Sequence, residues 1–201
     1  MQLTSAQKTT LKAHIDANTN TVVTPQGTIQ IKDVQRDADH YDEVTAWYNA
    51  LESPDYFIFK KSVLLDDVMA NGFDWTVVDN ETAGQARIWD RMLGLSRTKG
   101  GIATWKATVL RGVGEAYKGA SGAVVAHRRN ILRVHFPRTC RRWEKIFVAD
   151  IGTDWNVGTN ADKTGNRGTN TNPDIMPLDN LGEYLDGAIP KNILLDAAIT
   201  G

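Results

Sequence analysis

The chain has 201 residues, 41% of them hydrophobic and 23% charged, with a net charge of −1. That is enough for one good core or two small ones. No apolar run approaches the roughly 18 residues needed to span a bilayer, and "MQLTSAQKTT" lacks the basic start and apolar stretch of a secretory signal. The single cysteine, Cys140, excludes an internal disulfide. A soluble protein made in the cytoplasm is the expectation.

In chain order, "LTSAQKTTLKAHIDAN" predicts a helix with Thr4 as N-cap and Gln7 three residues later, a capping-box pattern with Leu11 and Ile15 inward. "TVVTPQGTIQI" alternates around Pro25 and Gly27 and predicts a short hairpin. "DADHYDEVTAWYNAL" places Tyr41, Val44, Tyr48 and Leu51 at helical spacing, with Pro54 as a stop. "YFIFKKSVLLDDVMANGFDWTVVD" predicts an extended piece, a short helix after Ser62 ending at Gly72, and a second extended piece.

Asp79 is the expected cap of the next helix, "NETAGQARIWDRML", with Ala86, Trp89 and Leu93 inward and Arg87 and Arg91 on another face. "SRTKGG" reads as a loop. Helical spacing resumes through Trp105, Val109, Val113 and Ala116, where Gly112 and Gly114 each cost about 1 kcal/mol against alanine and so suggest close backbone packing. "SGAVVAHRRNILRVHF" predicts a helix with Val124, Ile131 and Leu132 inward. Pro137 kinks or restarts it, and "RTCRRWEKIF" continues it with Cys140, Trp143 and Phe147 inward.

After Asp150, "GTDWNVGTNADKTGNRGTNTNPD" has almost nothing to bury and predicts an extended, flexible arm. A short helical piece, "LDNLGEYLDGA", and an apolar end follow. The expected architecture is therefore mainly α: a helical bundle core over 1–151 with a short β-hairpin, then an arm over 152–201. Trp89, Trp105, Trp143 and Phe147 are its candidate core aromatics.

The near-zero net charge conceals a partition. Residues 1–86 hold 6 Lys+Arg against 13 Asp+Glu, a net −7; residues 87–145 hold 14 against 3, a net +11; residues 146–201 hold 3 against 8, a net −5. The densest stretch, "HRRNILRVHFPRTCRRWEK" over 127–145, carries seven cations: Arg128, Arg129, Arg133, Arg138, Arg141, Arg142 and Lys145. Helical spacing would put Arg138, Arg141 or Arg142, and Lys145 on one outer face.

Such a belt suits nucleic acid or the acidic ends of other copies of the chain, and composition favours neither. Pro137 interrupts the long amphipathic run that a membrane surface would need. His127, His135 and Cys140 match no usual zinc spacing, and a core thiol with surface imidazoles is the simpler account. The cluster "DADHYDE" reads as a solvated acidic helix start. No phosphate loop or nucleophile–base pair is present, so neither enzyme activity nor a cofactor is expected.

"LTSAQKTTLKAHIDA", "AWYNALESPDYFIFKKSV", "FDWTVVDNETAGQARIWDRML", "VLRGVGEAYKG" and "HRRNILRVHFPRTCRRWEKIFVADIGT" occur in an order that resembles a group of small tailed-bacteriophage proteins encoded with virion structural genes. The resemblance covers about residues 1–155 and carries no catalytic motif. It implies a virion component. The plan is similar to head–tail connectors or adaptors of the neck, which form a ring, twelve-fold by analogy, between the portal protein and a tail or nozzle protein. On that basis the seven cations are expected to be subunit contacts, with non-specific contact to packaged DNA as a further role and no membrane partner. A tail-completion or capsid-associated protein, and a soluble nucleic-acid-binding protein using 128–145, are the alternatives.

Overall fold

A computed structural model describes residues 2–54, 56–119, 121–147 and 187–201. In chain order these form α1 (Ser5–Asp16), β1 (Thr21–Thr24), β2 (Gly27–Gln30), α2 (Asp42–Asn49), β3 (Phe57–Phe59), α3 (Leu65–Gly72), α4 (Trp75–Val78), α5 (Ala83–Lys99), α6 (Ala107–Ala116) and α7 (Gly122–Asn130). A π-helical turn (Ile131–His135), β4 (Pro137–Thr139), α8 (Arg142–Lys145) and α9 (Lys191–Thr200) complete the described elements. The protein is mainly α with small two-stranded sheets. Instead of one core over 1–151 there are two compact units. Of the described residues, the first holds 2–54, 140–147 and 187–201, and the second holds 56–119 and 121–139. Of the expected arm over 152–201, residues 152–186 lie outside the described residues, while 187–201 correct the expectation: they carry α9, whose Leu194, Ala197 and Ala198 are buried in the first unit.

In the first unit, Thr4 and Gln7 form the expected capping box: Thr4 N–H donates to Gln7 Oε1 at 2.8 Å and Gln7 N–H to Thr4 Oγ1 at 3.3 Å. Two donors left over at the helix start are thereby satisfied. Leu11 and Ile15 are fully buried, packed with Tyr41, Val44 and Tyr48 of the α2 region, Trp143 of α8, and Leu194, Ala197 and Ala198 of α9. The C-terminal residues thus complete this core, because their apolar positions recur at helical spacing and lie against α1. Lys8–Asp196 (2.6 Å) and Lys191–Asp42 (2.7 Å) bridge α9 at its periphery. The hairpin pairs Thr21 with Gln30 and Thr24 with Gly27, leaving Pro25 and Gln26 as its two-residue loop. Leu51, expected on the buried stripe of α2, is 57% exposed, because the helix ends at Asn49 and Leu51 bridges to Arg141 in extended form.

The second unit packs α3, α5, α6, α7 and the π turn around Leu65, Val68, Trp89, Leu110, Val113, Ile131, Leu132 and Phe136. Residues 75–78, expected extended, are a helical turn. The Asp74 carboxylate accepts from Thr76 N–H and its hydroxyl at 3.1 and 2.6 Å and caps it. The cap of α5 is Thr82 rather than Asp79, again in a capping box, with Gln85. That helix runs through Lys99, absorbing most of the expected "SRTKGG" loop, and stops at Gly100, whose φ of 69° suits a left-handed terminus. Gly112 carries the close approach of α6 to α5, since a Cβ there would sit 2.7 Å from Met92 Sδ. Trp105 precedes α6 and is half-buried against the core instead of lining a helix face.

The largest departure follows His135. Residues 138–147 do not continue a helix: Pro137 opens β4, which pairs antiparallel with β3 through Phe57–Thr139, Ile58–Arg138 and Phe59–Pro137. Proline lacks a donor and fits a strand margin better than a helix interior. Lys60 N–H closes the ladder onto Phe136 O at 2.9 Å. Only Arg142–Lys145 returns to helix.

Candidate functional site

The unit boundary falls within the basic stretch. Arg128, Arg129, Arg133 and Arg138 belong to the second unit, and Arg141, Arg142 and Lys145 to the first. Their environments differ sharply. Arg128 is a correction to the expected contact surface: it is fully buried, with Nη1 donating to Tyr117 O at 2.6 Å and to Gly119 O at 3.5 Å. It fastens the end of α6 to α7. Arg129, one residue on, is exposed, and Arg133 is half-buried on the π turn. Arg138 sits half-buried on β4, with Nη1 3.3 Å from Thr139 O. Because β4 replaces the expected helix, Arg138 shares no helix face with Arg141, Arg142 and Lys145.

In the first unit, Arg141 Nη1 donates to Asn49 O at 2.6 Å, and its own N–H to Glu144 Oε2 at 2.7 Å. Trp143 is fully buried, its Nε1–H donating to Gly187 O at 3.0 Å, while Gly187 N–H reaches Glu144 Oε1 at 3.2 Å. Asn49 exchanges two bonds with the backbone of Ile189, at 2.9 and 2.7 Å. Together these tie α8 and the segment before α9 into one body. Phe147 is half-buried beside Trp143, with ring centroids 6.4 Å apart.

Arg142 and Lys145 line an open groove of about 570 Å³, shared with His14, Asn18, Asn20, Trp47, Glu52 and Ser53 among others. Lys145 Nζ pairs with Glu52 Oε1 at 2.7 Å, and the Arg142 guanidinium carbon lies 4.5 Å from the centre of the Trp47 ring. Asn18 is buried; its carbonyl accepts from Asn20 N–H and side-chain amide at 3.0 and 2.8 Å, and its amide donates to the Tyr48 hydroxyl at 3.0 Å. The same hydroxyl lies 3.0 Å from His14 Nδ1. Burial lowers the His14 pKa, outweighing the opposing pull of Glu52, so the imidazole is neutral at pH 7. The hydrogen-bonded set His14, Tyr48, Asn18 and Asn20 is therefore uncharged, and the groove's charged lining residues are Glu52, Arg142 and Lys145.

The second unit has a smaller cleft of about 350 Å³ by Glu81, Gln85, Tyr117 and Lys118. Burial raises the Glu81 carboxyl to about 7, with the nearby Tyr117 hydroxyl the main opposing influence and Asp90 adding to the rise. Glu81 and Tyr117 are neighbours without reaching hydrogen-bond geometry, and Glu81 Oε1 and the Tyr117 hydroxyl are both enclosed. A folded-state pKa above the ordinary carboxylate value means that the folded chain holds this proton more tightly. The resulting stabilisation is full below about 4.5 and fades as pH rises through 7. Thermal melts from pH 4 to 8 should show Glu81→Gln lacking a decline that the unaltered chain shows; parallel profiles would contradict it.

His127 packs edge-on against Tyr117 and Phe73, at 4.4 and 4.9 Å, and its Nδ1 accepts from Asp74 N–H at 3.0 Å. That bond leaves the ring proton on Nε2, and burial lowers the pKa, so His127 is a neutral core histidine. Cys140 is buried in the first unit. Among the described residues no three His, Cys, Asp or Glu gather as a metal site, and no helix is long and apolar enough to cross a membrane. No family model, curated protein or solved structure matches the chain. The groove by Trp47 was not legible in the sequence; an Arg beside a Trp in space leaves no periodic signature when distant chain segments supply them.

Proposed function

We propose that the protein is a non-catalytic structural component of a tailed-phage virion, acting as a head–tail adaptor that assembles in a ring between portal and tail. The observation that supports this reading is the distribution of uncommitted charge. The described residues of the second unit contain 13 Lys+Arg and 7 Asp+Glu, a net +6, whereas those of the first contain 8 and 9, a net −1. Arg87, Arg91, Arg111 and Arg129 are exposed and form no ion pair with a described residue. Acidic excess lies elsewhere in the same chain, so repeated head-to-tail contact between unlike patches satisfies both. Exposed pairs of this kind are worth about 0.2–1 kcal/mol each and act more on orientation than on affinity.

The same cations could serve nucleic acid, and the two roles separate experimentally. Reversing Arg87, Arg91 and Arg129 to glutamate leaves the folded core untouched, since all three are exposed. An adaptor loses incorporation into particles. A nucleic-acid-binding protein instead loses DNA retention in gel shifts, with a salt slope reduced by about one per phosphate contact removed.

A further inference from the structure

Arg142 differs from its neighbours in having its donors unspent. Its guanidinium lies over the Trp47 ring, 4.5 Å from the centroid, yet makes no hydrogen bond or ion pair with any described residue. The ring contact holds the guanidinium in place without using any of its five N–H donors. Those donors stand on the groove wall with Lys145, whose ammonium already holds Glu52. A planar fork held in place, with a second cation nearby, matches a two-oxygen anion in bidentate geometry.

We infer that the groove between α1, α2 and α8 is a carboxylate socket, in which Arg142 receives an aspartate or glutamate side chain from a second copy of this chain. The inference rests on the assembly reading for the identity of the occupant, though not for its chemistry. Among the described lining residues, Arg142 and Lys145 against Glu52 sum to a single positive charge, which one carboxylate neutralises. A nucleic-acid strand brings a charge at every nucleotide and needs several cations in a row; the described residues of the first unit, at net −1, do not offer them. Suitable carboxylates are present on the chain itself: Asp33, Asp39, Asp67, Asp79 and Asp90 are exposed, and none forms an ion pair with a described residue.

The chemistry is tested by NMR titration of the full chain, following the Trp47 indole and Arg142 Nε–H signals. N-acetylglutamate amide should shift both saturably and bind at least about fivefold more tightly than N-acetylglutamine amide or dimethyl phosphate. Arg142→Lys keeps the charge but loses the fork, and should weaken the carboxylate probe at least threefold with backbone shifts otherwise unchanged. Equal binding of the glutamate and glutamine probes, or tighter binding of dimethyl phosphate, overturns the socket, and the wild-type titrations alone decide this if the variant fails to fold. The occupant is tested by sedimentation. Weaker self-association of Arg142→Lys supports a second copy, whereas association equal to that of the unaltered chain overturns it. A wild-type chain that binds the probe but never self-associates refutes the assembly reading while leaving the carboxylate chemistry standing.

Discussion

Replacing Trp143 by alanine should cost about 3–5 kcal/mol, the range for deleting a large buried aromatic. Against the 5–15 kcal/mol that typically separates folded from unfolded domains, such a loss leaves the first unit close to unfolding. The indole is fully buried among residues of α1, α2 and α9, and its N–H is spent on Gly187 O. Alanine removes the apolar mass and leaves that carbonyl without its donor. Trp105→Ala is the internal control: Trp105 is only half-buried, so its loss should be clearly smaller. Urea unfolding followed by far-UV circular dichroism measures both, and a Trp143 cost under about 1 kcal/mol would contradict the packing described for α8.

Arg128→Met should destabilise the second unit by about 1.5–3 kcal/mol, the range for hydrogen bonds involving a charged group. Methionine keeps much of the apolar stem but donates nothing to the buried Tyr117 O or the part-buried Gly119 O. Arg129→Met, at the exposed neighbouring position, should stay within about 0.5 kcal/mol. Equal effects at 128 and 129 would show that the two arginines share one environment. Arg128 therefore belongs with the core and not with any partner-facing surface.

Local signals were legible. The Thr4–Gln7 capping box, the hairpin closed by Pro25 and Gln26, the buried Tyr41, Val44 and Tyr48, and the close approach at Gly112 all depend on residues within a few positions or on a missing side chain. What escaped was non-local. Pro137 reads as a helix kink because a sequence shows only its neighbours, whereas its strand partner, Phe59, lies far upstream. Competing caps also mislead: Asp79 and Thr82 both precede the apolar stripe of α5, and the capping box with Gln85 favours Thr82. An arginine's letter does not reveal burial either. Arg128, Arg129 and Arg142 look alike in the sequence, yet one anchors a core, one faces solvent and one lies against a tryptophan. The apolar end was assigned to the arm over 152–201, and α9 instead joins the first core because α1 supplies the complementary face.

The assembly account depends on the chain associating with itself through unlike charged patches. Sedimentation equilibrium of the full chain at low and high salt tests this most directly, with the Arg87, Arg91 and Arg129 to glutamate variant run alongside. The account predicts a defined oligomer at low salt, dissociation as screening shortens the reach of exposed charges, and a folded monomer for the variant under all conditions. A wild-type chain that remains monomeric at low salt and sediments with DNA, or a variant that forms the same oligomer as the wild type, would contradict it.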